Sequence, residues 1–266
     1  MADPLITFIL PFFNEEQYLG RTLACLDGQN DRRFALRLVD NASTDRSLAI
    51  AKEWARSATD IQVDIMQEPR PGKLFALQSG SKEIKTPLIG TLDADTEYPS
   101  EYVERTISAF SIRPDLAAFI ALPADDSRKD DRASPSKWLQ VALQPSHCHG
   151  GGCGQTFWRE ALERAGGFDP DRWPFILEDH EIVHAVGRFG PIGYNRDHTF
   201  RTAQRREAKG DCSWSLVERI GYKILPASAG SWYFHRVLAP RFAARGLANI
   251  ALRSQSWNDS AISAEL

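Results

Sequence analysis

The sequence predicts an α/β fold with a mostly parallel central sheet flanked by helices, and three observations carry that prediction. A continuous apolar run close to the start, Leu5 to Phe13 (LITFILPFF), has the composition of a strand buried on both faces. Further apolar strands alternate with helical stretches, which is the pattern of βαβ units. Three strands also end on acidic or polar residues, Asn14-Glu15, Asp40 and Asp93-Ala94-Asp95. In such sheets ligands bind outside the carboxyl ends of the strands, so these positions carry functional weight.

Each element has a local reason. Pro11, near the end of the first strand, argues that ladder pairing stops there. Asn14 with Gln17 three residues on has the form of a helix N-cap and its capping-box partner, opening a helix through about Leu26. A second strand, Phe34 to Asp40, runs into Asn41-Ala42-Ser43-Thr44-Asp45, small polar residues that end the strand and cap a helix carrying Leu48, Ile50, Ala51 and Trp54. After a third strand, Ile61 to Gln67, the turn Pro69-Arg70-Pro71-Gly72 starts a helix near Lys73, and Pro87 to Leu92 forms the strand that ends at Asp93. The second half is less regular. It contains a strand from Leu116 to Leu122, a polar surface loop from Asp125 to Ser136, a Gly-rich turn from Gly150 to Gly154, and a helix from Thr156 to Arg164. A short amphipathic helix then runs from Glu178 to Phe189, starting at an acidic pair, and the last dozen residues read as frayed.

The 266 residues carry 32 basic and 35 acidic side chains, a net charge of −3, which excludes the strongly basic footprint of a nucleic-acid binder. The charge is uneven: Arg196 to Arg253 holds eleven Arg and Lys against four Asp and Glu, a local +7, leaving −10 on the rest. Four cysteines make no disulfide framework, and no run has the roughly 18 apolar residues of a membrane span. A cytoplasmic protein is the expectation, peripheral at the inner face of the cytoplasmic membrane if its acceptor is a lipid. Asp93 and Asp95, one residue apart at a strand end, suit a hard divalent cation with room left for substrate phosphates.

Taken together, Ile9-Leu10-Pro11-Phe12-Phe13-Asn14-Glu15-Glu16, Leu38-Val39-Asp40-Asn41-Ala42-Ser43-Thr44-Asp45, Gly72-Lys73, Asp93-Ala94-Asp95, Gly166-Gly167-Phe168 and Leu177-Glu178-Asp179 resemble glycosyltransferase family 2. These are inverting enzymes with the GT-A, or nucleotide-diphospho-sugar transferase, fold, and the resemblance extends over about residues 5 to 206. It implies one GT-A domain over residues 1–230, with a nucleotide-sugar half (1–115), an acceptor half (116–230) and a short basic helical tail (231–266). By the same resemblance Pro11, Phe12 and Glu15 line the nucleoside pocket, Asp40 accepts from the base, and Lys73 lies near the pocket or the diphosphate. Asp93, Ala94 and Asp95 form the ribose and metal loop, with Asp95 and Asp93 as ligands to Mg²⁺ or Mn²⁺. Asp179 takes the position of the catalytic base, with Glu178 and Gly152 on the acceptor side. Asn41-Ala42 departs from the Asp-Gly common in the family. The implied activity is transfer of a sugar from a nucleoside-diphosphate donor to a hydroxyl acceptor, lipid-linked or a glycan precursor. A nucleotidyltransferase and a non-catalytic nucleotide-sugar or glycan-binding module are the alternatives.

Other features leave two readings each. Arg205-Arg206, after Thr202-Ala203-Gln204, resembles a family stretch that would pair with the diphosphate, or is a solvated basic face. His198 and His235 are diphosphate or metal neighbours, or packed. The run His147-Cys148-His149-Gly150-Gly151-Gly152-Cys153 has the composition of a zinc site, but its spacing within one short loop argues against one. The tail from Trp232 to Arg253 interleaves aromatics with arginines, so it lies on an anionic membrane or packs on the domain.

Overall fold

A computed structural model describes residues 3–125, 131–203 and 214–250. Its strands are β1 (Ile6–Phe12), β2 (Phe34–Asp40), β3 (Gln62–Gln67), β4 (Leu88–Thr91), β5 (Thr96–Glu97), β6 (Ala118–Pro123), β7 (Gln155–Trp158) and β8 (Ile192–Thr202). They form a sheet in the order β3-β2-β1-β4-β7-β6-β8-β5. Strands β3, β2, β1 and β4 are mutually parallel, as are β6 and β8, whereas β7 runs antiparallel to both neighbours and β5 antiparallel to β8. The sheet is therefore mixed, and the parallel reading holds for its first half.

Pro11 acts on one edge only. Pairing of β1 with β4 ends at Ile9, while pairing with β2 continues through Phe12. Alternation puts the Pro11 nitrogen on the same side as Ile9, toward β4, where no ladder bond is required of it.

The helices are α1 (Leu19–Asp27), α2 (Ser47–Ser57), α3 (Lys73–Ser81), α4 (Tyr102–Ile112), α5 (Pro135–Leu143), α6 (Arg159–Arg164), α7 (Glu178–Val186) and α8 (Leu216–Ile224). Two cores sandwich the sheet. Phe8, Leu10, Leu36 and Leu38 pack toward α1 and α4 on one face, and Ile9, Val39 and Phe157 pack toward α3 and α7 on the other. At Gly80 of α3 a Cβ would stand 2.5 Å from Ile9 Cγ2, so only glycine lets this helix lie so close to β1.

Four sequence expectations change. Helix α1 begins at Leu19 because Asn14 adopts a left-handed backbone (φ 54°) and gives its side chain to the β2 loop. Helix α2 begins at Ser47, with Asp45 Oδ1 accepting from its N–H. Residues 155–158 are strand β7 and only 159–164 are helical, since Thr156-Phe157-Trp158 are the β-branched and aromatic types that fill a pleated sheet. Helix α5 begins inside the expected polar loop, at Pro135, and runs on to Leu143, capped by Ser134 whose Oγ accepts from Lys137 N at 3.2 Å. The tail also differs. Tyr233, Phe234, Leu238, Phe242 and Leu247 are buried in a third core around Trp173 and Ile176, so these side chains are not available to lipid. Arg253 and the last dozen residues lie outside the described residues.

This third core depends on Trp173, whose ring meets Phe175, Phe234 and Phe242 edge-on at 5.2–6.1 Å and whose Nε1 donates to Ile176 O at 2.8 Å. Trp173→Ala is expected to cost about 3–5 kcal/mol in chemical denaturation. A loss below about 1 kcal/mol would show that the tail packs independently of it.

Candidate active site

The loops after β1 and β2 are tied together. Asn14 Oδ1 accepts from Thr44 N at 2.8 Å, Ser47 Oγ accepts from Glu15 N at 2.7 Å, and Asp45 Oδ2 accepts from Glu16 N at 3.1 Å. Asp40, at the end of β2, is buried and accepts from Ser43 N (3.0 Å) and Gln67 Nε2 (3.2 Å). The departure at Asn41 has a structural purpose. Its amide donates to Glu68 O and Arg70 O at 2.9 and 2.8 Å and accepts from Gly72 N at 2.9 Å, fixing the turn that delivers Lys73. Gly72 has φ 130°, a conformation that L side chains rarely adopt. Beneath this turn Glu68 is held by Arg70 at 2.8 Å and by Ser79; the Arg70 hydrogen bonds bring its carboxyl down to about 2 despite its burial.

Lys73, first residue of α3, sends its ammonium into an ion pair with Asp93 Oδ1, just past the end of β4. Burial works against the charge on Lys73, but the carboxylates of Asp93 and Glu178 outweigh it and raise its pKa. Asp93 is oriented from behind: its N–H donates to Tyr98 Oη at 2.9 Å, and that hydroxyl donates to Cys153 O at 3.0 Å. One phenol thus joins the Asp93 loop to the Gly-rich 150–154 loop. Ala94 is buried, its carbonyl accepting from Thr22 Oγ1 at 2.9 Å. Asp95 Oδ1 accepts from Thr96 Oγ1 at 3.3 Å, and Asp95 O accepts from Ala203 N at 2.8 Å.

The second acidic pair arrives on α7. Leu177 precedes it in a left-handed conformation (φ 65°), and this places Glu178 and Asp179 on the first turn of the helix. Lys73, Gly152, Phe168, Glu178 and Asp179 line one small pocket with Thr91 and Gln155. At Gly152 a Cβ would lie 3.2 Å from Lys73 Nζ and 3.3 Å from Asp179 Cβ, so the absence of a side chain keeps the two sides of the site in contact. Asp179 Oδ1 accepts from His180 N and bonds to His180 Nδ1, both at 2.9 Å, and Asp179 O accepts from Gln155 Nε2 at 3.0 Å.

These neighbours separate the two carboxyls. Burial and the adjacent Asp179 push Glu178 up to about 7 against the pull of Lys73. Burial works in the same direction on Asp179, but His180 and then Lys73 hold that carboxyl below the ordinary carboxylate range. The pocket therefore holds one carboxyl whose charged form is favoured, one whose neutral form is favoured, and a cation between them and Asp93. Environments that drive neighbouring titratable groups apart are characteristic of acid–base sites.

Several expectations land elsewhere. Phe12 packs its ring into the core and contributes its carbonyl, which accepts from Asn41 N at 2.8 Å, while Pro11 is buried within β1. Glu15 is half-buried in the tied loops, and Arg205 and Arg206 lie outside the described residues. His198 is stacked between Tyr102 and Phe119, at 4.4 and 4.6 Å, inside the core, and His235 pairs with Glu181 at 3.3 Å. The His/Cys run makes no four-ligand cluster: His147 Nε2 bonds to Tyr222 O, His149 Nε2 to Gln144 O, and Cys153 Sγ to Gly150 O. Cys148 turns its sulfur toward the site, within 4.8 Å of ligand atoms of Asp179 and His180. Sequence reasoning missed Tyr98, Gln155 and His180. Of these only His180, adjacent to the acidic pair, had a local signal.

The sequence profile of glycosyl transferase family 2 matches residues 7–166. The chain belongs to that family. An undecaprenyl-phosphate 4-deoxy-4-formamido-L-arabinose transferase of Edwardsiella ictaluri is 31% identical over 133 residues, 48% of this chain and 41% of that protein. A transferase of the same name from Pseudomonas aeruginosa is 28% identical over 169 residues, 60% and 49% of the two chains. The chain thus spans less than half the length of these relatives. In fold it is similar to the Pyrobaculum calidifontis mannosyltransferase PcManGT, solved with GDP-Man and Mn²⁺ (TM-score 0.67, 20% identity, 96% of this chain and 77% of that one). It is also similar to TarS 1–349 of S. aureus with UDP-GlcNAc (TM-score 0.58, 16% identity, 94% and 76%). The architecture is GT-A, and Lys73, paired with Asp93, lines one pocket with Glu178 and Asp179.

The titratable groups predict the pH dependence of stability. Burial lowers His184 and His198 to about 3, well below the usual 6.5. Their stabilisation is complete above 6.5 and is lost as pH falls toward 3, each group costing about 1 kcal/mol per pH unit. Glu178, raised from 4.5 to about 7, acts in the opposite sense and favours the fold as pH falls through 7. The melting temperature is expected to fall between pH 7 and 5, and to fall more steeply in Glu178→Gln. A flat profile, or an unchanged slope in the variant, would contradict these assignments.

Proposed function

We propose that this chain is an inverting, metal-dependent glycosyltransferase that moves a sugar from a nucleoside diphosphate to a hydroxyl acceptor carried on a lipid, with Asp179 as the base. The observation that carries the reading is the charge arrangement across the pocket: an ionised Asp179 held by His180 faces a cation that is itself held by the donor-side carboxylate Asp93. A single displacement needs one carboxylate to take the acceptor proton and none to act as a nucleophile. Glu178, whose neutral form is favoured by burial and the neighbouring Asp179, is poorly suited to attack the anomeric carbon and well suited to hydrogen-bond the acceptor.

In this reading residues 1–115 bind the donor and 116–230 the acceptor. Asp40, buried with an amide partner in Gln67, receives the base, and Pro11 and Glu15 border it. Asp93 and Asp95 offer hard oxygen atoms at the strand end and fit Mg²⁺ or Mn²⁺. When bound, the cation would offset charge on the departing diphosphate. Lys73 supplies positive charge on the same side, where it would face the departing diphosphate. Arg205 and Arg206 are proposed to join it. The names of the curated relatives support a lipid-phosphate acceptor, and transfer to a phosphate oxygen would need no base; the settings of Asp179 and His180 favour a hydroxyl.

Purified protein with UDP-, GDP-, CDP- and dTDP-sugars and Mn²⁺ or Mg²⁺ should show a thermal shift with one donor and release the free nucleoside diphosphate on turnover. In Asp179→Asn turnover should fall by roughly 10² to 10⁴ while the donor-induced shift persists. Full turnover in that variant would remove Asp179 from the base role, and release of pyrophosphate would indicate nucleotidyl transfer instead.

A further inference from the structure

Helix α8 (LVERIGYKI) is inside out. It buries Glu218 and Tyr222, four residues apart, and turns Leu216, Val217, Ile220 and Ile224 to solvent, the last of them 76% exposed. The inward polar groups are satisfied by the protein. Glu218 pairs with Arg245 at 2.8 Å, while the Tyr222 hydroxyl bonds to His184 Nε2 and accepts from Cys148 N, both at 3.1 Å. The outward face is the one that would ordinarily be polar, and contiguous exposed apolar surface of this sort marks a contact site.

A second helix extends it. On α5 Leu139 and Leu143, one turn apart, are exposed, Leu143 at 72%. The C-terminal ends of the two helices meet where the Gln144 side-chain amide donates to the Lys223 carbonyl. The charges on these faces are all positive. Arg219 and Lys223 are exposed on α8, whose one acid is the buried Glu218, and α5 contains no acid. Glu101 and Glu104 face the other side of α5, across the groove lined by Trp138, Val141 and Ala142.

We propose that the aliphatic faces of α5 and α8 seat on an anionic membrane surface, with Arg219 and Lys223 at the level of the head groups. Apolar side chains at the acyl boundary with basic residues among them are the composition that binds such an interface. A second copy of the chain is a poor occupant, because a two-fold contact would bring Arg219 and Lys223 against their own equivalents with no exposed acid on either helix. The position also suits the chemistry. The Tyr222 ring on the inner side of α8 lies 5.5 Å, centroid to centroid, from His180, which holds Asp179. An acceptor anchored in that membrane would meet the base without leaving the interface. This inference rests on the lipid-linked acceptor reading for its choice of a membrane, and it assigns the contact to α5 and α8 instead of the buried tail.

Flotation of the full chain with phosphatidylcholine vesicles, and with vesicles containing about one third phosphatidylglycerol, tests it. The protein should float with the anionic vesicles and far less with the neutral ones. Ile220→Asp/Ile224→Asp and Arg219→Glu/Lys223→Glu should each lower anionic flotation at least about tenfold while keeping the donor-induced thermal shift. Leu139→Ser/Leu143→Ser gives an independent reading on α5 should an α8 variant lose its melting transition. Absence of flotation in the native protein, or equal flotation in all the variants, would overturn the proposal, as would an α8 variant that only converts a dimer to a monomer. Flotation as expected without transfer to any lipid-linked acceptor would support the docking face and refute the acceptor reading.

Discussion

The site depends on one half-buried cation. Lys73 sits between the end of β4 and the start of α7, paired with Asp93, and its charge lowers the pKa of both Glu178 and Asp179. Burying an ammonium is costly unless its partners are in place. The surrounding structure supplies them through several connected devices: Asn41 fixes the turn before Lys73, Tyr98 orients Asp93, Gly152 leaves the space, and His180 holds Asp179. None of these four touches all the others, yet each acts on the same charge. The positive end of the pocket is therefore a property of the assembled sheet and not of any single loop.

The first half of the fold was legible because its physics is local. Apolar runs such as Leu5 to Phe13, ended by Asn14, Asp40 or Asp93, mark strands and their functional ends without knowledge of what they pair with. The second half was not, and Gln155–Trp158 shows why. A four-residue strand flanked by a helix has too little periodicity to separate it from the first turn of that helix, and only its neighbours β4 and β6 decide the matter. Helix α8 shows a different limit: a sequence pattern gives which side is apolar, whereas Arg245 and His184 meet its polar residues from elsewhere in the chain.

The candidate site divides in the same manner. Lys73, Asp93, Glu178 and Asp179 stand beside recognisable punctuation, a Gly turn, a strand end and an acidic helix start, and all four line or pair across the same pocket. Tyr98 and Gln155 were invisible because they act through backbone groups 55 and 24 residues away. Phe12 presents only its backbone for a related reason. Strand alternation sends its ring to the core and leaves only its carbonyl toward the Asn41 loop.

Titration of the Glu178 carboxyl, followed by carbon NMR in the native protein and in Lys73→Met, probes this cation without intermediaries. A transition near 7 is expected in the native chain and a higher one when the ammonium is removed, because Lys73 is the cation that holds Glu178 down against burial and Asp179. Titration in the ordinary range near 4.5, or a value that does not move on removing Lys73, would refute the role given to this lysine.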